Sequence, residues 1–275
     1  SKAMEGQIHH GDLLSSVDKN GVATLTLNRS DKHNAFDADL IQQLISELER
    51  LSNAANVRCL LLRGNGKHFS AGADLNWMRS MAQQDQQHNV DDAAQLAHLM
   101  KLLDTFPHPT IVYVHGCAFG GALGLICCCD IALADIEASF CLSEVKLGLV
   151  PATIAPYVCR TIGARLARRY MLTAEPFDAE QAQQMGIVHH LTTTNTAEAT
   201  LSKFVGLVLA NSPAAMSSAK ELIHHCSEQP INAKLIDYTS ELIAQVRVSE
   251  QGQEGLNAFL EKRTPVWRKG HSDNG

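Results

Sequence analysis

The chain has 275 residues and a formal charge of −6, which removes the electrostatic case for nucleic acid or an anionic membrane surface. Apolar residues make up 45% and aromatics only 5%, so the expected core is large, aliphatic and rich in alanine. No run reaches the roughly 18–20 apolar residues of a membrane span, and no basic-then-apolar leader is visible, so a cytoplasmic protein without a signal peptide is expected. Ser1-Lys2-Ala3 ahead of Met4 read as an expression remnant.

In chain order, apolar residues alternate from Gln7 to Asn28 around Asp18-Lys19-Asn20-Gly21, a hairpin signal. Asp37 is placed to cap a helix carrying Leu40, Ile41, Leu44, Ile45, Leu48 and Leu51 at helical spacing. Arg58 to Arg63 reads as a buried strand stopped by Gly64-Asn65-Gly66. A polar, Gln-rich stretch from Ala82 to Asp92 is expected to be exposed and mobile, and a helix follows to Leu103. Pro107-His108-Pro109 breaks that helix before the strand Thr110–Val114. A short helix through Leu125 to Cys129, a strand from Asp130 to Ala134 and another from Ala138 to Cys141 come next. Beyond Pro151 the pattern is mostly helical, with one strand near Gly186-Ile187-Val188 and helical periods over 195–210, 213–226, 231–246 and 249–262. Strands alternating with helices predict an α/β core with parallel pairing over 4–200, and a C-terminal helical segment over 201–267.

Eight cysteines form no disulfide or ligand pattern; Cys127-Cys128-Cys129 point three ways on a helix and read as buried, reduced thiols. Thirteen histidines include no H-x-x-x-H or H-E-x-x-H, so no metal is expected. The informative stretches are Phe69-Ser70-Ala71-Gly72-Ala73-Asp74-Leu75 and His115-Gly116-Cys117-Ala118-Phe119-Gly120-Gly121-Ala122. Each runs from a strand through a small-residue turn into a helix, leaving backbone N–H groups unshielded at a positive helix end. Brought together, the N–H groups of Ala73 and Gly121 would hold one oxygen between two donors, as an oxyanion requires. Glu144 lies among apolar neighbours that would desolvate its carboxyl and suit it to acid–base work. Its alternative is an ion pair with Lys146.

These motifs, together with Leu27-Asn28-Arg29, Asn34-Ala35-Phe36, Cys129-Asp130-Ile131-Ala132-Leu133-Ala134 and Phe259-Leu260-Glu261-Lys262-Arg263-Thr264-Pro265-Val266-Trp267, resemble the crotonase superfamily of enoyl-CoA hydratases and isomerases. The likeness runs from about Ile8 to Trp267. It implies a ββα spiral core, a C-terminal helical trimerisation segment, and homotrimers or hexamers. It also implies that Ala73 and Gly121 bind the thioester oxygen, with Gly120 shaping the second turn. Ala71, Asp74 and Leu75 would sit in the coenzyme A loop, Arg29 near its phosphates, and Phe259 and Lys262 would reach it from a neighbouring subunit. Coenzyme A enters as part of the substrate, and no separate cofactor is implied.

One departure matters. The second glutamate of typical hydratases falls at Gly124, which is expected to leave room for water or substrate. A single carboxylate suits a Δ3,Δ2-enoyl-CoA isomerase. More positions, notably Ala118–Leu125, Phe140–Val145 and Arg168–Glu175, resemble bacterial methylglutaconyl-CoA and isohexenylglutaconyl-CoA hydratases of leucine and terpene catabolism. The resemblance therefore implies hydration of a branched, carboxylated enoyl-CoA, with Glu144 orienting water and protonating the α-carbon and the substrate's distal carboxylate assisting. A noncatalytic RNA-binding homologue is the alternative of another class. Its basic cluster would be Arg160, Arg165, Arg168 and Arg169.

Overall fold

The computed structural model describes residues 8, 9 and 11–268; the remnant Ser1-Lys2-Ala3 lies outside them. Strands β1 (Ile8–His9), β2 (Leu13–Val17) and β3 (Val22–Leu27) form an antiparallel meander. Its hairpin closes as the sequence requires. The Asp18 carboxylate accepts the N–H groups of Asn20 and Val22 at 2.8 and 3.0 Å. Helix α1 (Ala38–Ser52) begins at Asp37, whose side chain accepts the Leu40 N–H at 2.9 Å, and its apolar stripe is buried.

Strand β4 (Cys59–Gly64), helices α2 (Leu75–Ala82) and α3 (Gln86–Asp104), and strand β5 (Thr110–Val114) follow. The Gln-rich stretch is largely exposed, as expected, and helical for most of its length, with Asp85 capping α3 through the His88 N–H at 2.8 Å. Next come β6 (Cys117–Phe119), α4 (Gly121–Cys128), β7 (Ile131–Asp135) and β8 (Ser139–Cys141).

Helix α5 (Ala155–Thr173) is broken at Gly163, and β9 (Phe177–Asp178) leads into α6 (Ala179–Met185). The strand expected near 186–188 lies later, as β10 (His190–Thr192). Gly186 ends α6 in the left-handed region and Ile187 bonds back to Ala182, so the apolar run is an approach and not a rung. Helices α7 (Ala197–Leu209), α8 (Pro213–Cys226), α9 (Ala233–Val248) and α10 (Glu250–Leu260) complete the described chain.

The main sheet has the order β1-β2-β3-β4-β5-β7-β10, parallel from β3 onward, and a smaller sheet has the order β6-β8-β9. One apolar cluster joins the sheets with α1, α3, α4 and α5. A second lies on the opposite sheet face, where Leu201, Val208 and Leu209 of α7 pack on Cys59, Leu61 and Tyr113. Helix α7 therefore spans the expected boundary at 200. Burial falls only after it: α8 and α9 bury no residue and α10 buries Ala258 alone. Among the described residues no helix is long and apolar enough to cross a membrane.

Candidate active site

The two turns meet. Phe69 N–H donates to the His115 carbonyl at 2.8 Å, Ser70 N–H to Cys117 at 3.1 Å, and Phe119 N–H to Ser70 at 3.0 Å. Phe36 then clasps the first turn, donating to the Gly72 carbonyl (2.7 Å) and accepting from Asp74 N–H (2.8 Å). In such a parallel bridge the residue between those partners, Ala73, turns its own N–H outward. Ala71, Ala73 and Leu75 are exposed while Gly72 and Asp74 are buried. Gly121 opens α4, so its N–H is an orphan donor of the first helical turn. Among the described residues neither the Ala73 nor the Gly121 N–H has a protein acceptor.

Close main-chain approach makes this possible. A Cβ on Gly72 would lie 3.0 Å from the Phe119 oxygen and 3.9 Å from the Gly120 Cα. Gly120 adopts φ +58° and ψ −122°, a backbone conformation L side chains rarely take. A Cβ there would also come within 3.1 Å of Glu144 Oε2.

Glu144 reaches this place through the small sheet. Strand β8 pairs with β6, the Gly120 N–H donates to the Cys141 carbonyl at 2.9 Å, and a 3-10 turn over Glu144–Leu147 follows. Its Oε1 is buried with no hydrogen-bond partner, and burial raises the carboxyl pKa above the usual range. Lys146 is exposed, and no ion pair joins the two among the described residues. The segments bearing these groups are neighbours: Gly72 lies against Phe119 and Gly120, and the buried Glu144 carboxyl lies beside Gly120.

Other candidates are placed differently. Arg29, expected near coenzyme phosphates, has a side chain only 11% exposed and pairs with Asp12, Asp37 and Asp74, each at 3.3 Å. Its guanidinium also donates to the Ala35 carbonyl. It braces the first turn from behind, which is the correction the structure makes. Asp74 caps α2 by accepting the Asn76 and Trp77 N–H groups at 2.8 and 3.1 Å. Burial works against its charge, but those donors and Arg29 outweigh it and hold its carboxyl below the usual range. Phe259 is 82% exposed on α10, and Lys262 lies just beyond. No hydrogen bond or ion pair on the described chain brings either to the turns.

Gly124 is a second correction. A Cβ there would meet Ile154 Cγ2 at 2.3 Å and Met100 Sδ at 3.0 Å. The space a side chain at 124 would take is filled by apolar atoms of Ile154 and Met100.

Sequence reading also missed Asn34 and Ser70 as site-builders. Asn34 is fully buried at φ +56°, accepts the Arg29 N–H at 2.7 Å and donates to the carbonyls of Asn65 (2.8 Å) and His68 (2.9 Å). The Ser70 hydroxyl donates to Asn34 O at 2.8 Å and accepts the Gly72 N–H at 3.2 Å. The signal in the sequence was its place in Asn34-Ala35-Phe36, an asparagine being a residue type that tolerates the left-handed region.

The RNA-binding cluster is partly consumed: Arg160 pairs with Asp104 at 2.6 Å and Arg169 with Glu175 at 2.8 Å. A cavity of about 430 Å³ lined by His224, His225, Lys234 and Tyr238 lies between α8 and α9, with no residue of either turn in its lining.

The fold is of the crotonase type. The chain belongs to the enoyl-CoA hydratase/isomerase family, whose sequence profile, described as "Enoyl-CoA hydratase/isomerase", matches residues 18–270. It is similar to a 2,3-dehydroadipyl-CoA hydratase of Escherichia coli K12, 33% identical over 90% of this chain and 95% of that one. A mitochondrial Delta(3,5)-Delta(2,4)-dienoyl-CoA isomerase of Dictyostelium discoideum is 28% identical over 93% and 90%. Among solved structures, an enoyl-CoA hydratase from Shewanella pealeana superposes with a TM-score of 0.91 at 54% identity, over 93% of this chain and 96% of that one.

Proposed function

We propose that this enzyme hydrates the 2,3 double bond of a branched, carboxylated enoyl-CoA of the methylglutaconyl type. The observation that supports this reading is that the turns bearing the Ala73 and Gly121 N–H groups lie against each other, with a single desolvated carboxyl, Glu144, beside Gly120. The two donors hold the thioester oxygen and stabilise the enolate as charge develops on it. Glu144, ionised, takes a proton from water as the hydroxyl oxygen bonds to C3 and the π electrons move to the enolate. The same carboxyl then returns that proton to C2, so H and OH are added and Glu144 is regenerated. Its unpartnered oxygen and raised pKa suit both halves of that exchange. The relative named as a dehydroadipyl-CoA hydratase supports a substrate with a distal carboxylate.

One observation favours a second reading. Ile154 and Met100 occupy the place of a second acid, so the site is apolar where a two-carboxylate hydratase would carry charge. One base and an oxyanion pair are sufficient to move a proton between C2 and C4, as an isomerase does. Offering crotonyl-, 3-methylglutaconyl-, isohexenylglutaconyl- and 3-hexenoyl-CoA separates the two. The hydratase reading predicts loss of enoyl absorbance on the second and third at least. A gain on 3-hexenoyl-CoA with no loss on the others overturns it in favour of the isomerase.

Self-association belongs to the same reading. Ile223, Ile236, Ile243 and Val248 stand exposed on α8 and α9, which bury nothing within the chain. A second copy covering them would also carry Phe259 and Lys262 toward a neighbour's coenzyme. Sedimentation equilibrium showing a monomer at assay concentration would contradict that.

A further inference from the structure

His68 stands between the two turns and has no part in the chemistry above. In a regular parallel ladder the Cys117 N–H would donate to the His68 carbonyl, two residues before the Phe119-to-Ser70 rung. That carbonyl is taken by the Asn34 side chain at 2.9 Å. The Cys117 N–H donates instead to His68 Nδ1, at 3.0 Å. One imidazole therefore replaces a main-chain rung at the point where the second turn leaves the first.

The donor fixes the ring's state. A backbone N–H cannot donate to a protonated nitrogen, so Nδ1 carries the lone pair and the ring proton is on Nε2. The groups around it are all bases: the His33 ring edge-on with centroids 5.0 Å apart, Lys67 on the same loop, and His115 at the end of β5. Burial first, and then these neighbours, hold the His68 pKa below its ordinary value.

We propose that neutral His68 is a positioning residue that sets the register of the two N–H-bearing turns, and that its protonation removes one of the rungs that tie the second turn to the first. This rests on the oxyanion reading of those turns. On protonation, Nδ1–H faces Cys117 N–H, the rung is lost, and Gly121 drifts from the oxygen it shares with Ala73. A displacement near 1 Å is enough to lower turnover about a hundredfold.

The test uses His68→Leu and His68→Asn in the full chain, with melting temperature measured on each. Asparagine places an acceptor oxygen on the same Cγ branch as Nδ1 but does not titrate. His68→Leu is expected to lower kcat about 10- to 100-fold with KM changed by less than about threefold. His68→Asn is expected to keep kcat within a few-fold and to lose the part of the acid limb that His68 contributes below the ordinary histidine range. A chromophoric thioester, 4-dimethylaminocinnamoyl-CoA, reads the donors directly, because hydrogen bonding to its carbonyl moves its absorbance to longer wavelength. That shift should shrink in His68→Leu and persist in His68→Asn. Wild-type kcat and shift in His68→Leu, or an unaltered acid limb in His68→Asn, overturns the proposal. Should His68→Leu fail to fold, the asparagine pH profile decides alone. Absence of the shift in the wild-type protein overturns the oxyanion reading beneath it, a different failure from a shift that ignores position 68.

Discussion

The two turns present the same group, a free backbone N–H, by unlike means. The first adds side chains to the main-chain clasp of Phe36: Asp74 caps, Ser70 and Asn34 bond across it, and Arg29 pairs with three carboxylates, Asp74 among them. The second is held by main chain: β6 pairs with β8, Gly120 donates to Cys141, and a helix opens on Gly121 with no side-chain cap. The difference teaches where each is vulnerable. The first turn is distributed over several partial supports, while the geometry at the end of the second rests on the unusual backbone conformation of Gly120.

The largest expected effect removes what both turns serve. Glu144→Gln keeps size and removes the base, and should lower turnover by about 10³ or more, read as kcat with any substrate that turns over. Next comes the backbone-dependent turn. Gly120→Ala combines φ +58° with a Cβ 3.1 Å from Glu144 Oε2, and should cost about 10²–10³ in kcat/KM. Ser70→Ala removes one of several supports of the first turn and should cost only about tenfold. If Ser70→Ala proved as damaging as Gly120→Ala, the contrast between distributed and single support would be broken.

Much of this was legible in the sequence, for local reasons. Asp37 before an apolar stripe, Asp18 to Gly21 in a hairpin, and strand Thr110–Val114 after Pro109 carry their own signals. The two turns carry a local signal, small residues after a buried strand, and Glu144 carries one in its apolar flanks. What was not legible depends on distant partners. Arg29 looks like a free cation until Asp12, Asp37 and Asp74 are folded around it. Gly124 looks like an opening until Ile154, thirty residues on, is seen filling it. Asn34 shows as part of a motif, but its side-chain hydrogen bonds reach Arg29, Asn65 and His68, scattered along the chain.

The Gly124 site gives a smaller prediction, on stability. A methyl there lies 2.3 Å from Ile154 Cγ2, so Gly124→Ala should destabilise by about 1–3 kcal/mol in denaturant titration, and Ile154→Val in the same chain should recover part of it. Full stability in Gly124→Ala would mean the pocket can open, restoring the room for water that the packing now denies.

The smallest effect concerns pH. The Glu144 pKa is raised on folding by burial, so its protonated form is the one the fold favours. The associated stability is present below the unfolded pKa and is lost as pH rises through the folded value. Glu144→Gln should therefore melt higher than wild type at neutral pH, with the gain vanishing toward pH 4. Equal melting at neutral pH would show the carboxyl to be better solvated than its surroundings indicate.

Proton exchange at the α-carbon tests the central claim without requiring the natural acyl group. In D2O, a saturated 3-methylglutaryl-CoA bound at the site should exchange a C2 hydrogen for deuterium, because the Ala73 and Gly121 donors stabilise the enolate that Glu144 forms. The exchange should disappear in Glu144→Gln and fall steeply in Gly120→Ala. Exchange that continues undiminished in Glu144→Gln would contradict the account, since some other group would then be moving the proton.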